Sequence, residues 1–72
     1  MSKKIFKILG NNIKSIRLKN GYSIKKLSEK SGIRKKYLKK IEEGKAVGIK
    51  ISHIFILSEA LNVLPYEIVE GI

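Results

Sequence analysis

The chain has 72 residues, no cysteine, one histidine and a formal net charge of +10 at pH 7. So short a chain forms one domain near the lower size limit for folding without a covalent or metal staple, and the lack of thiols excludes a disulfide or a thiolate metal site. No apolar run approaches the roughly 18 residues of a membrane span, and the N-terminus lacks the apolar region of a secretory signal. We therefore expect a single, soluble, cytoplasmic domain over residues 1–72.

The charge divides the chain into two unequal parts. Residues 1–50 contain all sixteen Lys and Arg residues and three glutamates, a net charge of +13, whereas residues 51–72 contain three glutamates and no base, a net charge of −3. A compositional excess of lysine would be spread over both parts. The asymmetry predicts a basic half that meets an anionic partner and a C-terminal end with a different task.

The first predicted helix runs from about Gly10 to Lys19, and residues 1–8 form a basic and apolar extension before it. This extension either lengthens the helix or forms an arm that carries Lys3, Lys4 and Lys7. Its lysines are either a solvated end or a contact with an anionic partner. The sequence leaves both pairs of alternatives open.

A helix, a tight turn and a second helix are predicted between Ser23 and Gly44. Ser23 can accept a free backbone N–H at the start of the first helix, and Gly32 follows its end, where glycine adopts the left-handed conformation without strain. Ile33 fills the corner, and the second helix runs from about Arg34 to Glu42. Two helices joined by such a glycine-containing turn form a helix-turn-helix motif.

The second helix of the motif separates its charges from its apolar side chains. At about 100° per residue, its four lysines fall within an arc of roughly 140°, and its apolar residues lie on the opposite side. The lysines are Lys35, Lys36, Lys39 and Lys40, and the apolar residues are Tyr37, Leu38 and Ile41. A lysine face is often merely solvated, but on the second helix of a helix-turn-helix it predicts contact with nucleic acid.

The C-terminal part predicts two more helices after a loop over Lys45–Ile51. Ser52 is placed to cap the fourth helix, which runs to about Leu61. Pro65 suits the first position of a short fifth helix, because proline has no N–H to leave unpaired there. His53 is interpreted as a helix-surface residue, since a lone histidine without an acidic cluster does not supply the ligand set of a metal site.

Five apolar side chains of the C-terminal part have no predicted place in the core: Phe55, Ile56, Tyr66, Val69 and Ile72. In a monomer they would form an exposed patch of the kind that usually marks an interface. The C-terminal part carries little charge, whereas the basic half would repel a second copy of itself. We therefore expect the patch to be the interface of a homodimer. The alternative is that some of the five complete a small core or cover the N-terminal segment.

Residues 9–69 resemble the Cro-type (XRE) helix-turn-helix family of bacterial and phage repressors. The most specific feature is the Ile-Glu-x-Gly sequence from Ile41 to Gly44, which follows a Gly-Ile turn. The other matching residues are Leu9, Gly10, Ile13, Ile16, Arg17, Gly21, Ser23, Leu27, Leu38, Leu57, Ala60, Leu61, Val63 and Ile68. The resemblance implies an all-α fold, the compact five-helix bundle of lambda-repressor-like DNA-binding domains, in which helix 2 crosses the DNA backbone and helix 3 lies in the major groove.

The resemblance also implies roles for individual residues. The expected base-contacting side chains are Lys35, Lys36, Lys39 and Lys40, with Arg34 at the start of the same helix. Lysine can donate to guanine O6 or N7, which are acceptors in the major groove. Expected phosphate contacts come from Tyr22, Lys25, Lys45 and Lys50. Arg17 and Glu42 are expected to form a partly buried ion pair between helix 1 and helix 3.

Three positions depart from the family pattern. Ile24 stands where a glutamine usually follows the cap serine, so a phosphate contact of that side chain is lost. Ser28 replaces a small alanine and, if partly buried, needs a local hydrogen bond. Arg34 occupies the place of a Ser or Thr cap, which affects the first turn of the recognition helix.

We expect sequence-specific binding to double-stranded DNA by a homodimeric, nucleoid-associated transcriptional regulator, a repressor that occupies an operator. No nucleophile–base pair, metal-ligand set or phosphate-binding loop is evident, so the sequence predicts no enzyme, no cofactor, no metal and no small-molecule ligand. Three alternatives stay open: the antitoxin of a toxin–antitoxin pair, a packaging protein that binds nucleic acid regardless of sequence, and a cationic membrane-active peptide. The regular glycine stops and inward Leu and Ile positions disfavour the last.

Overall fold

Five α-helices make up most of residues 3–72, which are the residues that the structure, a computed structural model, describes. They are α1 (Lys4–Lys19), α2 (Ile24–Ser31), α3 (Lys35–Glu42), α4 (Ile51–Leu61) and α5 (Pro65–Ile68). No β-strand occurs within the described residues. The all-α, five-helix fold predicted from the sequence is confirmed.

Every helix contributes at least one side chain to a single core. At its centre lie the fully buried residues Ile13 of α1, Leu27 of α2, Leu38 of α3, Leu57 of α4 and Ile68 of α5. Burying a Leu or Ile side chain contributes about 1.5–3 kcal/mol. Ala46 is also buried, so the loop between α3 and α4 is attached to the same core. These contacts hold α2 and α3 in one orientation relative to the rest of the domain.

Helix α1 begins at Lys4, earlier than the predicted start near Gly10. The N-terminal extension was predicted either to lengthen the first helix or to form an arm. From Lys4 onward it lengthens the helix. Residues 1–2 lie outside the described range. The extra turns form because the apolar spacing continues through them: Leu9 is part of the core and Phe6 is half-buried. An apolar face at helical spacing gains stability by packing on the core.

Helix α1 crosses the last turn of α3 at close range. A Cβ at Gly10 would lie 2.3 Å from the carbonyl oxygen of Ile41 and 2.8 Å from that of Glu42. No side chain fits such a gap, so only glycine permits this approach. The contact sets the position of the C-terminal end of α3.

The start of α4 differs from the prediction. Lys50 is the N-cap residue and α4 begins at Ile51, so Ser52 lies inside the first turn and the prediction that it caps the helix is wrong. The backbone N–H of Lys50 instead donates to Nδ1 of His53 at 3.0 Å, as a capping-box side chain does. His53 is half-buried, and its ring centre lies 5.3 Å from that of Tyr37. His53 thus lies on the surface of α4, as interpreted from the sequence, and in addition its ring caps the helix and packs beside Tyr37.

The C-terminal end is tied back to α1. Pro65 occupies the first position of α5, as predicted. The side-chain amide of Asn12 donates to the carbonyl oxygens of Ile68 and Glu70, each at 2.8 Å. These two hydrogen bonds hold the acidic C-terminal end of the chain against α1.

Candidate nucleic-acid interface

The turn between α2 and α3 is held by local hydrogen bonds. The Ser23 hydroxyl oxygen accepts the backbone N–H of Lys26 at 3.0 Å, which is the predicted cap. Helix α2 ends at Ser31, and the following residue, Gly32, has the left-handed backbone conformation with a φ of +76°. The hydroxyl of the half-buried Ser28 donates to the carbonyl oxygen of Ile33 at 2.6 Å, and Ile33 itself is buried. With its polar groups paired and its corner residue in the core, the turn fixes the angle between the two helices.

Helix α3 has one buried face and one exposed face. Leu38 and Ile41 are buried in the core, and Tyr37 is half-buried. The exposed side carries the four expected base-contacting lysines, Lys35, Lys36, Lys39 and Lys40. Ammonium groups held on a rigid helix suit both the phosphates of a duplex and the acceptor atoms on its base edges.

Arg34 does not cap α3 with its side chain. Its backbone is extended, with φ −60° and ψ 142°, and its side chain makes no hydrogen bond to the first turn. Together with Lys36, Tyr37 and Lys40, Arg34 lines an open concavity of about 230 Å³. The structure thus brings three of the expected base-contacting residues together. It adds Tyr37, which sequence analysis assigned only to the apolar face although it lies about 60° from Lys40 around the helix.

The predicted ion pair between Arg17 and Glu42 is present. Its Nε–Oε2 distance is 2.7 Å and its Nη2–Oε1 distance is 3.0 Å, and the two side chains are only 9% and 7% exposed. The third donor, Nη1, bonds the carbonyl oxygen of Tyr22 at 2.8 Å. The hydrogen bonds that Arg17 donates to the Glu42 carboxylate raise the pKa of Arg17, although burial opposes the shift. One guanidinium thereby joins α1, the segment before α2 and the end of α3.

The expected phosphate-contacting residues lie on three segments. They are Tyr22 before α2, Lys25 in its first turn, and Lys45 and Lys50 at the two ends of the loop after α3. The three lysines are exposed, whereas Tyr22 is half-buried beneath Lys30, whose Nζ lies 5.5 Å from its ring centre. Lys45 lies 3.7 Å from the carboxylate of Glu43. An exposed pair of this kind contributes little, so Lys45 can exchange it for a phosphate.

The five expected interface residues, Phe55, Ile56, Tyr66, Val69 and Ile72, are between 39% and 64% exposed. None of them is part of the core of the single chain. Two further apolar residues, Val47 and Ile51, are exposed just before them in sequence. The sequence did not predict Ile51 as part of the apolar patch, because Ile51 was assigned to the loop. In the structure it is the first residue of α4 and lies one helical turn from Phe55.

Two kinds of site are absent from residues 3–72. No group of three His, Cys, Asp or Glu side chains there could hold a metal ion. No helix in the same range is long and apolar enough to cross a membrane. The distinctive features of the described surface are therefore its lysines and its exposed apolar side chains.

The α2–turn–α3 unit and its basic second helix define the class of this protein, a helix-turn-helix DNA-binding domain. A family model described as a helix-turn-helix domain matches residues 10–72. The chain belongs to this family of DNA-binding transcription regulators, and the resemblance to its Cro-type (XRE) members is confirmed.

Two solved structures are similar to this one. The restriction-modification controller protein C.AhdI from Aeromonas hydrophila is 25% identical, with a TM-score of 0.83 over 88% of this chain and 94% of that chain. The hypothetical transcription factor NHTF from Neisseria is 23% identical, with a TM-score of 0.86 over 96% of this chain and 79% of that chain. The second likeness shows the fold alone. No curated protein sequence matches the chain significantly.

Proposed function

We propose that this protein binds double-stranded DNA sequence-specifically and regulates transcription, as a homodimeric repressor that occupies an operator. The strongest support comes from α3. Its apolar side is locked into the core while its four lysines are exposed, and it is the second helix of a family helix-turn-helix. In this motif the second helix enters the major groove and the first crosses the backbone.

The proposal divides the basic residues between two roles. On α3, Lys35, Lys36, Lys39 and Lys40, with Arg34, face the base edges, where guanine O6 and N7 accept hydrogen bonds. Tyr22, Lys25, Lys45 and Lys50 contact phosphates and set the position of the protein on the duplex. Phosphate contacts carry affinity and register, whereas base contacts carry sequence preference.

A homodimer follows from the geometry of operators. Two half-sites lie about 34–36 Å apart, whereas the longest dimension of one chain is 32 Å, so one copy cannot present two recognition helices at that spacing. The exposed apolar residues of α4 and the C-terminal end offer a surface that is remote in sequence from the basic face. A two-fold axis would bring the same surface of each copy together.

The likeness to C.AhdI supports a narrower candidate function, control of the genes of a restriction–modification system. It extends over nearly all of both chains. Selection of bound sequences from a pool of random duplexes would give the preferred site. Its occurrence in front of restriction and modification genes would support this candidate, and its absence there would exclude it.

Lys40→Ala and Lys45→Ala should change DNA binding in different ways. Loss of Lys40 should relax the preference at one position of the selected site, at about 1–3 kcal/mol for that base pair. Loss of Lys45 should weaken binding to all sequences and lower the salt slope by about one per subunit. Titrations of both variants with the selected duplex and with a random duplex measure the two effects.

Each lysine variant serves as the control for the other, since both remove one exposed ammonium group. If both lost affinity equally for the selected and the random duplex, α3 would not be the element that contacts bases. Equal affinity of the unmodified protein for both duplexes would favour the sequence-independent packaging protein instead.

Val69→Asp should convert the dimer to a monomer, because a two-fold contact would bury two carboxylates face to face. Sedimentation velocity measures the change, and circular dichroism should show unaltered helix content, since Val69 is partly exposed in the single chain. Leu18→Asp is the matched control, as Leu18 is exposed on α1, outside the proposed interface. A dimeric Val69→Asp variant, or an unmodified protein that is monomeric even on DNA, would refute this interface.

A further inference from the structure

Three lysines at the start of α1 have no role in the site described above: Lys3, Lys4 and Lys7, here called the N-terminal lysines. The family model matches from residue 10, whereas α1 begins at Lys4. The first six residues of this helix therefore precede the matched domain. The family model therefore assigns no role to these residues.

The apolar side of this segment holds it against the domain. At about 100° per residue, the N-terminal lysines span an arc of roughly 100°, and the apolar residues lie outside that arc. Leu9 is buried and Phe6 and Ile8 are half-buried, whereas the lysines are exposed. The segment is thus a packed helix that presents its lysines to solvent in a defined direction.

The same segment lies beside the end of the recognition helix. A Cβ at Gly44 would lie 2.8 Å from Cγ and 3.0 Å from Cα of Lys7, so the backbone of α1 touches the residue that follows the last turn of α3. Lys45 comes next, and its N–H donates to the carbonyl oxygen of Lys40 at 3.0 Å. Lys7 therefore lies next to the point where the base-contacting helix passes into the phosphate-contacting loop.

We propose that Lys3 and Lys7 bind DNA phosphates next to those contacted by Lys45 and so lengthen the backbone contact of each subunit. The inference rests on the DNA binding proposed above. Lys3 and Lys7 are four residues apart, about 6 Å along the helix at a rise of 1.5 Å per residue. One DNA strand carries a charge about every 3.4 Å along the axis, so the two lysines span roughly two phosphates.

A purely structural role would give a different result. Cations near the C-terminal end of a helix are stabilised by its dipole, and Lys7 lies beside Gly44, just after the end of α3. In that case Lys7→Gln would lower the melting temperature and leave the salt dependence of DNA binding unchanged. Melting temperature and DNA affinity are therefore measured on the same variants.

The test compares Lys7→Gln with Lys19→Gln in the full chain. Both variants lose one exposed ammonium group from α1, but Lys19 is at the other end of the helix, where it lines an open concavity together with Glu67 and Glu70. Each is titrated with the selected duplex between 50 and 200 mM salt. We expect Lys7→Gln to lower the log–log salt slope by about 0.9 per subunit, and a Lys3→Gln, Lys7→Gln double variant by about 1.8, whereas Lys19→Gln leaves the slope unchanged.

Ethylation interference identifies the phosphates. Ethylation of a contacted phosphate inhibits binding of the unmodified protein. The Lys3→Gln, Lys7→Gln double variant should become insensitive to ethylation at the phosphates that Lys3 and Lys7 contact. These phosphates should be adjacent to those at which Lys45→Ala becomes insensitive. If Lys7→Gln and Lys19→Gln gave the same slope, the inference would be wrong while the proposed function stood. If the unmodified protein showed no salt-dependent duplex binding, both would fall.

Discussion

The affinity for a DNA duplex should fall by about 10³ to 10⁵ between 50 and 200 mM salt, if a dimer neutralises roughly six to ten phosphates. Each contact releases a condensed counterion and adds about −0.9 to the slope of log K against log salt. The chain offers the necessary cations, because all sixteen Lys and Arg residues lie in residues 1–50. Fluorescence anisotropy titrations at several salt concentrations, with a labelled duplex, measure the slope.

Sedimentation velocity over the same salt range is the control for this measurement. The proposed dimer contact is apolar, so the dimer should persist as salt rises and the loss of affinity should come from DNA contacts alone. A flat titration would contradict the electrostatic interface. If the dimer dissociated as the salt concentration rose, part of the loss of DNA affinity would be due to loss of the dimer and not to loss of phosphate contacts.

Glu42→Leu should destabilise the domain by about 3–5 kcal/mol, because it leaves the buried Arg17 charge without its partner. Arg17 keeps only its bond to the carbonyl oxygen of Tyr22. A domain of this size has a total stability of roughly 4–11 kcal/mol at about 0.05–0.15 kcal/mol per residue, so the loss is a large fraction of the total. Urea unfolding followed by circular dichroism measures it.

Glu43→Leu is the matched control at the next position. Its carboxylate is 60% exposed and lies 3.7 Å from Lys45, so its removal should change stability by less than about 1 kcal/mol. The Arg17→Met, Glu42→Leu double variant should lose less stability than the two single variants together, since it strands no charge. Equal effects of Glu42→Leu and Glu43→Leu would show that the buried pair does not hold α1 to α3.

The sequence alone determined the helix-turn-helix, because its signals act between near neighbours. Ser23 caps the N–H three residues away, Gly32 ends α2 through its own backbone freedom, and Ser28 bonds a carbonyl five residues on. The spacing of Lys35–Lys40 around one helix likewise predicts an apolar and a basic face without any knowledge of the rest of the fold. The Arg17–Glu42 pair was found by resemblance, not by spacing.

Only the tertiary structure decided the features that depend on distant segments. The start of α1 at Lys4 depends on a surface for Phe6 and Leu9 to cover, and the short approach of Gly10 to Ile41 depends on how α1 crosses α3. The apolar spacing of Phe6 and Leu9 is visible in the sequence, but the sequence does not show whether another segment covers it, and no local pattern shows the approach of Gly10 to Ile41. The physical reason is that a marginal helix forms only where its apolar face is buried, and burial is a property of the assembled domain.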